Sequence, residues 1–110
     1  MIAVCRVDDV PLGEGRAVTL DGRRVALFHT RDGWYALEAA CPHLGGPLAD
    51  GLLSDCAVTC PLHERRFDLR SGEPLGHDCG AVETYTVMVA EGEVFVGSAH
   101  GARAPLAVAG

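Results

Sequence analysis

Apolar positions along the chain come in short runs separated by turn residues, and the runs read as strands. Residues 17–20 and 23–28 flank Asp21-Gly22. Asp-Gly between two apolar runs favours a type I′ hairpin, because both central residues need positive φ. Residues 25–29 and 34–38 flank Arg31-Asp32-Gly33, and residues 82–89 meet 94–96 across Glu91-Gly92. Residues 4–7 and 57–59 are further strand candidates. No segment keeps a 3.6-residue apolar period over three turns. The pattern therefore predicts an all-β sandwich or small barrel of about eight to ten short strands. Residues 98–110 are small and Ala/Gly-rich, and read as a loosely held tail.

Length and charge narrow the function. The chain has 110 residues, 48% hydrophobic and 22% charged, an ordinary composition for one globular domain. Nine basic residues, all Arg, against fifteen acidic ones give a formal net charge of −6. That sign disfavours a general nucleic-acid or anionic-membrane binder. The first residues lack a basic n-region, and no apolar run approaches the roughly 18 residues of a membrane span. The expected location is the cytoplasm, where thiols stay reduced. Five cysteines are an odd number and suit a disulfide framework poorly. In a reducing compartment, clustered cysteines read more readily as metal ligands.

Residues 41–80 stand apart, with four of the five cysteines, three of the five histidines and four of the six prolines. Cys41-Pro42-His43 and Cys60-Pro61-Leu62-His63 are two mixed pairs, with sixteen residues between His43 and Cys60. Two thiolates and two imidazoles are a metal site by residue type. Zinc is the plainest ion, but its usual spacing puts two cysteines in one pair and two histidines in the other. A single residue between Cys41 and His43 is also short for both to hold one tetrahedral ion. A two-iron cluster suits the spacing better, one cysteine from each pair on the first iron and one histidine from each on the second.

This pattern resembles the Rieske [2Fe-2S] motif. Cys41-Pro42-His43-Leu44-Gly45-Gly46-Pro47-Leu48 is similar to the first Rieske cluster loop. Cys60-Pro61-Leu62-His63, followed by Phe67-Asp68-Leu69 and Ser71-Gly72, is similar to the second loop and its exit. The resemblance covers roughly residues 4–97. It implies a fold of three stacked antiparallel sheets with a cluster-binding subdomain. One domain over 1–97 would carry loops at about 41–48, 60–67 and 71–76, the last, with Ser71-Gly72-Glu73-Pro74, covering the cluster. It implies that Cys41 and Cys60 ligate the inner iron, and that His43 and His63 ligate the outer one through Nδ1. Gly45 and Gly46 would let backbone N–H groups approach the sulfides.

Two departures place the chain within the family. Respiratory and photosynthetic members carry an extra cysteine in each loop, where this chain has Gly46 and Leu62. They also carry Ser two residues and Tyr four residues after the second ligand histidine, where this chain has Arg65 and Phe67. Those hydroxyls stabilise the reduced cluster. Two Fe³⁺, two sulfides and two thiolates sum to zero with neutral histidines, and one electron makes the centre −1. Without the hydroxyls, the expected potential is at the lower end of the Rieske range, roughly −150 mV. Serine in place of Arg65, like tyrosine in place of Phe67, is expected to raise it.

The sequence holds no nucleotide-binding fingerprint, flavin segment or mononuclear iron triad. It reads as an electron-transfer subunit that is not catalytic alone, placed between a flavin-containing reductase and a terminal reductase or oxygenase. Similarity through residues 9–15, Asp21-Gly22, residues 25–28 and 35–37 points to the small subunit of an assimilatory NAD(P)H-nitrite reductase. The alternative is the ferredoxin of a multicomponent aromatic-ring dioxygenase or related oxygenase. A zinc-stabilised interaction module is the remote alternative. Cys5, Cys56 and Cys79 read as incidental thiols, and His29, His77 and His100 as surface or turn residues. Arg65 and Arg66 read as a solvated pair or docking patch, and Trp34 as hairpin core.

Overall fold

A computed structural model describes residues 2–20, 22–39, 47–54, 56–61, 65–76 and 81–100, with backbone alone for 98–100. Ten strands are described: β1 (Ile2–Arg6), β2 (Gly15–Leu20), β3 (Arg23–Thr30), β4 (Gly33–Glu38), β5 (Leu52–Ser54), β6 (Ala57–Thr59), β7 (Arg66–Asp68), β8 (Pro74–Leu75), β9 (Thr84–Ala90) and β10 (Glu93–His100). Among the described residues the only helical turns are two 3-10 turns, Val7–Asp9 and Leu48–Asp50. All strand pairs are antiparallel. The all-β expectation holds.

The strands form a six-stranded sheet in the order β1-β10-β9-β4-β3-β2 and a four-stranded sheet in the order β5-β6-β7-β8. The larger sheet folds on itself, so that β1 comes back against β2. Its two halves enclose an inner core of Val10, Val18, Leu20, Val25, Leu27 and Ala36 facing Tyr85, Val94 and Val96. The four-stranded sheet packs on the outside of β3 and β4. That contact is a second core, in which Ala26, Phe28 and Leu37 meet Leu48, Val58, Cys60, Phe67 and Leu69. The result is three antiparallel layers, as the resemblance implied.

The middle layer explains the run at 25–28. Successive strand residues point to opposite faces. Val25 and Leu27 enter the inner core and Ala26 and Phe28 the outer one, and all four are fully buried. A strand covered on both faces has no polar side to alternate with. β9 is covered on one face, and along it buried Tyr85 lies between half-buried Thr84 and exposed Thr86.

The last hairpin holds its expected turn, while Asp21 of the first lies outside the described residues. Glu91 and Gly92 both have positive φ, 52° and 80°, as a type I′ turn requires. At the β3–β4 turn the Thr30 hydroxyl donates to the Gly33 carbonyl at 3.1 Å and accepts from the Asp32 N–H at 3.1 Å.

Candidate metal centre

The two motif segments start and end on the outer core. The Leu48 N–H donates to the Ala39 carbonyl at 2.9 Å. That bond ties the two ends of the segment carrying Cys41 and His43. Ala39 is fixed in turn by its own N–H, 3.2 Å from the Arg24 carbonyl. The second segment is closed the same way, by the Cys60 N–H donating to the Arg65 carbonyl at 2.7 Å. Leu48 and Cys60 are both fully buried in the outer core. Gly51 brings the exit of the first segment onto β6, because a Cβ there would collide with the Thr59 carbonyl oxygen, one residue before Cys60. Backbone bonds and close packing thus bring the bases of both segments together.

A third segment is clasped over the same core. The Asp68 carboxylate accepts the N–H groups of Arg70 and Ser71 at 2.7 and 3.1 Å, turning the chain from β7 to β8. The Val82 N–H donates to the Gly72 carbonyl at 2.8 Å, and Val82 is fully buried in the outer core.

Of the four expected ligands, Cys60 is described, as a free and fully buried thiol. Cys41, His43 and His63 lie outside the described residues, as do Gly45, Gly46, His77 and Cys79. Cys5 and Cys56 are half-buried, against the inner and outer cores respectively. Burial, helped by nearby Asp9 and opposed by Arg16, pushes the Cys5 thiol up from its ordinary value. His29 is not in a turn. It lies in β3, stacks on Trp34 with ring centroids 4.1 Å apart, and donates through Nδ1 to the Val10 carbonyl at 2.9 Å. Trp34 packs against the inner core, as expected.

Arg65 and Arg66 do not form a solvated pair. Strand alternation sends them to opposite faces, and Arg66 is exposed while Arg65 is half-buried. The Arg65 Nε is wholly buried with no hydrogen-bond partner among the described residues. Two adjacent arginines carry no signal for such a split; it follows from the strand pairing of 57–59 with 66–68, and the three-residue β7 is too short to show a period in the sequence.

The family model of the Rieske-like [2Fe-2S] domain matches residues 1–97. The chain belongs to that family. A Rieske relative, the 3-phenylpropionate/cinnamic acid dioxygenase ferredoxin subunit of Escherichia coli strain K12, is 38% identical over 98 residues, 86% of this chain and 91% of that protein. A chain from the complex of reduced oxygenase and oxidized ferredoxin in carbazole 1,9a-dioxygenase is 32% identical, with TM-score 0.79, covering 87% of this chain and 91% of its own. A Mycobacterium tuberculosis protein named for the small subunit of an NADH-dependent nitrite reductase is 30% identical, with TM-score 0.80, covering 86% and 90%.

The cofactor of this Rieske chain is a [2Fe-2S] cluster, and two described residues fit it. A buried cysteine at the base of a clasped loop suits a thiolate ligand screened from water. A buried N–H without a partner among the described residues, on the strand opposite that cysteine, suits a site that holds an anionic or sulfur acceptor. The protein is a Rieske-type electron-transfer protein, and among its described residues no helix is long and apolar enough to cross a membrane.

Proposed function

We propose that Cys41 and Cys60 hold the inner iron of the cluster and His43 and His63 the outer one, and that the chain relays single electrons from a flavin-containing reductase to a terminal oxygenase. The observation that supports the ligand set is the pair of clasped segments, Ala39 to Leu48 and Cys60 to Arg65, meeting on one core. The cluster, when bound, supplies a one-electron carrier. The chain's own residues hold it, exclude water from the Cys60 side, and set the charge around it. Residues 1–97 act as one domain, working in the cytoplasm.

The 38% identical relative, a dioxygenase ferredoxin subunit matched along nearly its whole length, favours the oxygenase. The nitrite reductase, to which the sequence pattern points, is supported by the likeness to the small-subunit structure. The two acceptors separate in reconstitution: reduced protein is mixed with an aromatic-ring oxygenase or with a sirohaem nitrite reductase, and reoxidation is timed.

The ligand set has its own test. The purified protein is expected to be coloured, with two irons, two labile sulfides and a rhombic EPR signal of low average g on reduction. His43→Ala or His63→Ala should abolish cluster content, while Cys5→Ser, Cys56→Ser and Cys79→Ser should keep it. A colourless protein with stoichiometric zinc would overturn this assignment in favour of an interaction module.

A further inference from the structure

We propose that Arg65 is a potential-setting residue: its buried Nε–H and positive charge act on the sulfur side of the cluster beside Cys60. The proposal rests on Cys60 being a ligand.

The register of β6 and β7 places the side chain. Ala57 pairs with Asp68, Val58 with Phe67 and Thr59 with Arg66. One step further Cys60 stands opposite Arg65, and the Cys60 N–H to Arg65 carbonyl bond at 2.7 Å confirms that step. Directly opposed residues in an antiparallel ladder put their side chains on one face, within reach of each other. The same face carries Val58 and Phe67, both fully buried. Arg65 therefore leaves the strand on the face of Cys60, at the end of the ladder that leads to His63. Its Nε is buried there without a partner among the described residues.

A guanidinium keeps its charge in any protein setting, and a buried donor left unpaired costs stability. Such an arrangement is tolerable when something else accepts the bond. The acceptors brought by the cofactor are thiolate and sulfide sulfurs. Reduction adds one electron, converts one Fe³⁺ to Fe²⁺, and takes the ligated centre from 0 to −1 with no proton moved. A cation beside the sulfurs favours the −1 state over the neutral one. Arg65 thus does in this chain, by charge and an N–H, what a serine hydroxyl does at the same place in high-potential relatives. Serine at 65 would return a hydroxyl but remove the charge, so its expected upward shift no longer follows.

The test is protein-film voltammetry on the loaded protein, with iron and sulfide content measured for each variant. Arg65→Met should make reduction at least about tenfold less favourable, a downward shift of about 59 mV for one electron. The matched control is Arg66→Met, which removes the same charge one residue away on the other face and should move the potential much less. The Arg65→Met shift should also largely persist in high salt, because partly buried charges are screened less than exposed ones. Equal shifts in the two variants, or a loaded Arg65→Met at the wild-type potential, overturn the proposal. If Arg65→Met takes up no cluster, Arg65→Gln is measured instead, with the same downward shift expected and an unchanged potential equally fatal. Wild-type protein without iron and sulfide would instead overturn the ligand assignment on which the proposal stands.

Discussion

Phe67 shows how one side chain joins the fold to the redox centre. It is fully buried opposite Val58, two residues along β7 from Arg65 and on the same face. A phenyl ring there seals the outer core below Cys60 and offers no hydrogen bond. Phe67→Tyr adds a hydroxyl where the sequence resemblance places a donor to a cluster cysteine. A bond to the charged reduced state that is stronger by about 1 kcal/mol raises the potential by roughly 40 mV for one electron. Voltammetry on the loaded variant checks it, and an unchanged or lowered potential would show that residue 67 does not face the sulfur. The chemistry at this position was legible in the sequence, because the spacing from His63 identified it. The burial of Arg65 was not, since it depends on which residue of β6 stands across the ladder.

At the scale of elements, what could be read depended on local turn chemistry. The hairpins at Asp21-Gly22, Asp32-Gly33 and Glu91-Gly92 announce themselves, and β2, β3, β4, β9 and β10 follow from them. β5, β7 and β8 are only two or three residues long. They are too short for periodicity, and exposed Leu52 and Leu75 show how little core they cover. They are strands because of what they pack on. Gly72 is the joint that allows this. Its φ is +77°, and a Cβ would collide with the Val82 carbonyl oxygen. Gly72→Ala should combine left-handed strain with a broken clasp and cost on the order of 2 kcal/mol. In a domain this size that is a fall of roughly 10 °C in Tm. A thermal melt of the loaded protein measures it; an unchanged Tm would mean that the β7–β8 turn relaxes without loss. Cluster release should occur at lower temperature too, because the clasp ties the third segment to the core under Cys60.

At the scale of the whole molecule, three layers depend on two seams, and each seam carries a titratable group held away from its ionised form. β1 closes the larger sheet, and its Cys5 thiol is pushed up by burial and then by Asp9, against Arg16. Tyr35 joins the two sheets: its hydroxyl is pushed up mainly by a hydrogen bond with Cys56, then by burial, against Arg70. Both groups lose a proton more readily in the unfolded chain than in the folded one. Below the unfolded value of about 8.5 for a thiol, neither state ionises and the folded chain keeps its full stability. As pH rises past that value, the unfolded chain releases protons first. Stability therefore falls until the folded value is passed. Surface ion pairs do not offset this, since Arg6–Glu93 at 4.0 Å, Arg23–Glu83 at 3.5 Å and Arg70–Asp32 at 3.8 Å are largely exposed, where water and salt screen them. The expected outcome is an alkaline limb that begins near the thiol range and steepens where tyrosine titrates. Denaturant unfolding of the loaded protein under reducing conditions, compared between neutral and alkaline pH, tests it. Cys5→Ala should flatten the first part of the limb and Tyr35→Phe the second. If Cys5→Ala loses stability with pH as steeply as the wild type, the closing seam is not what titrates, and the alkaline weakness lies with the contact between the sheets.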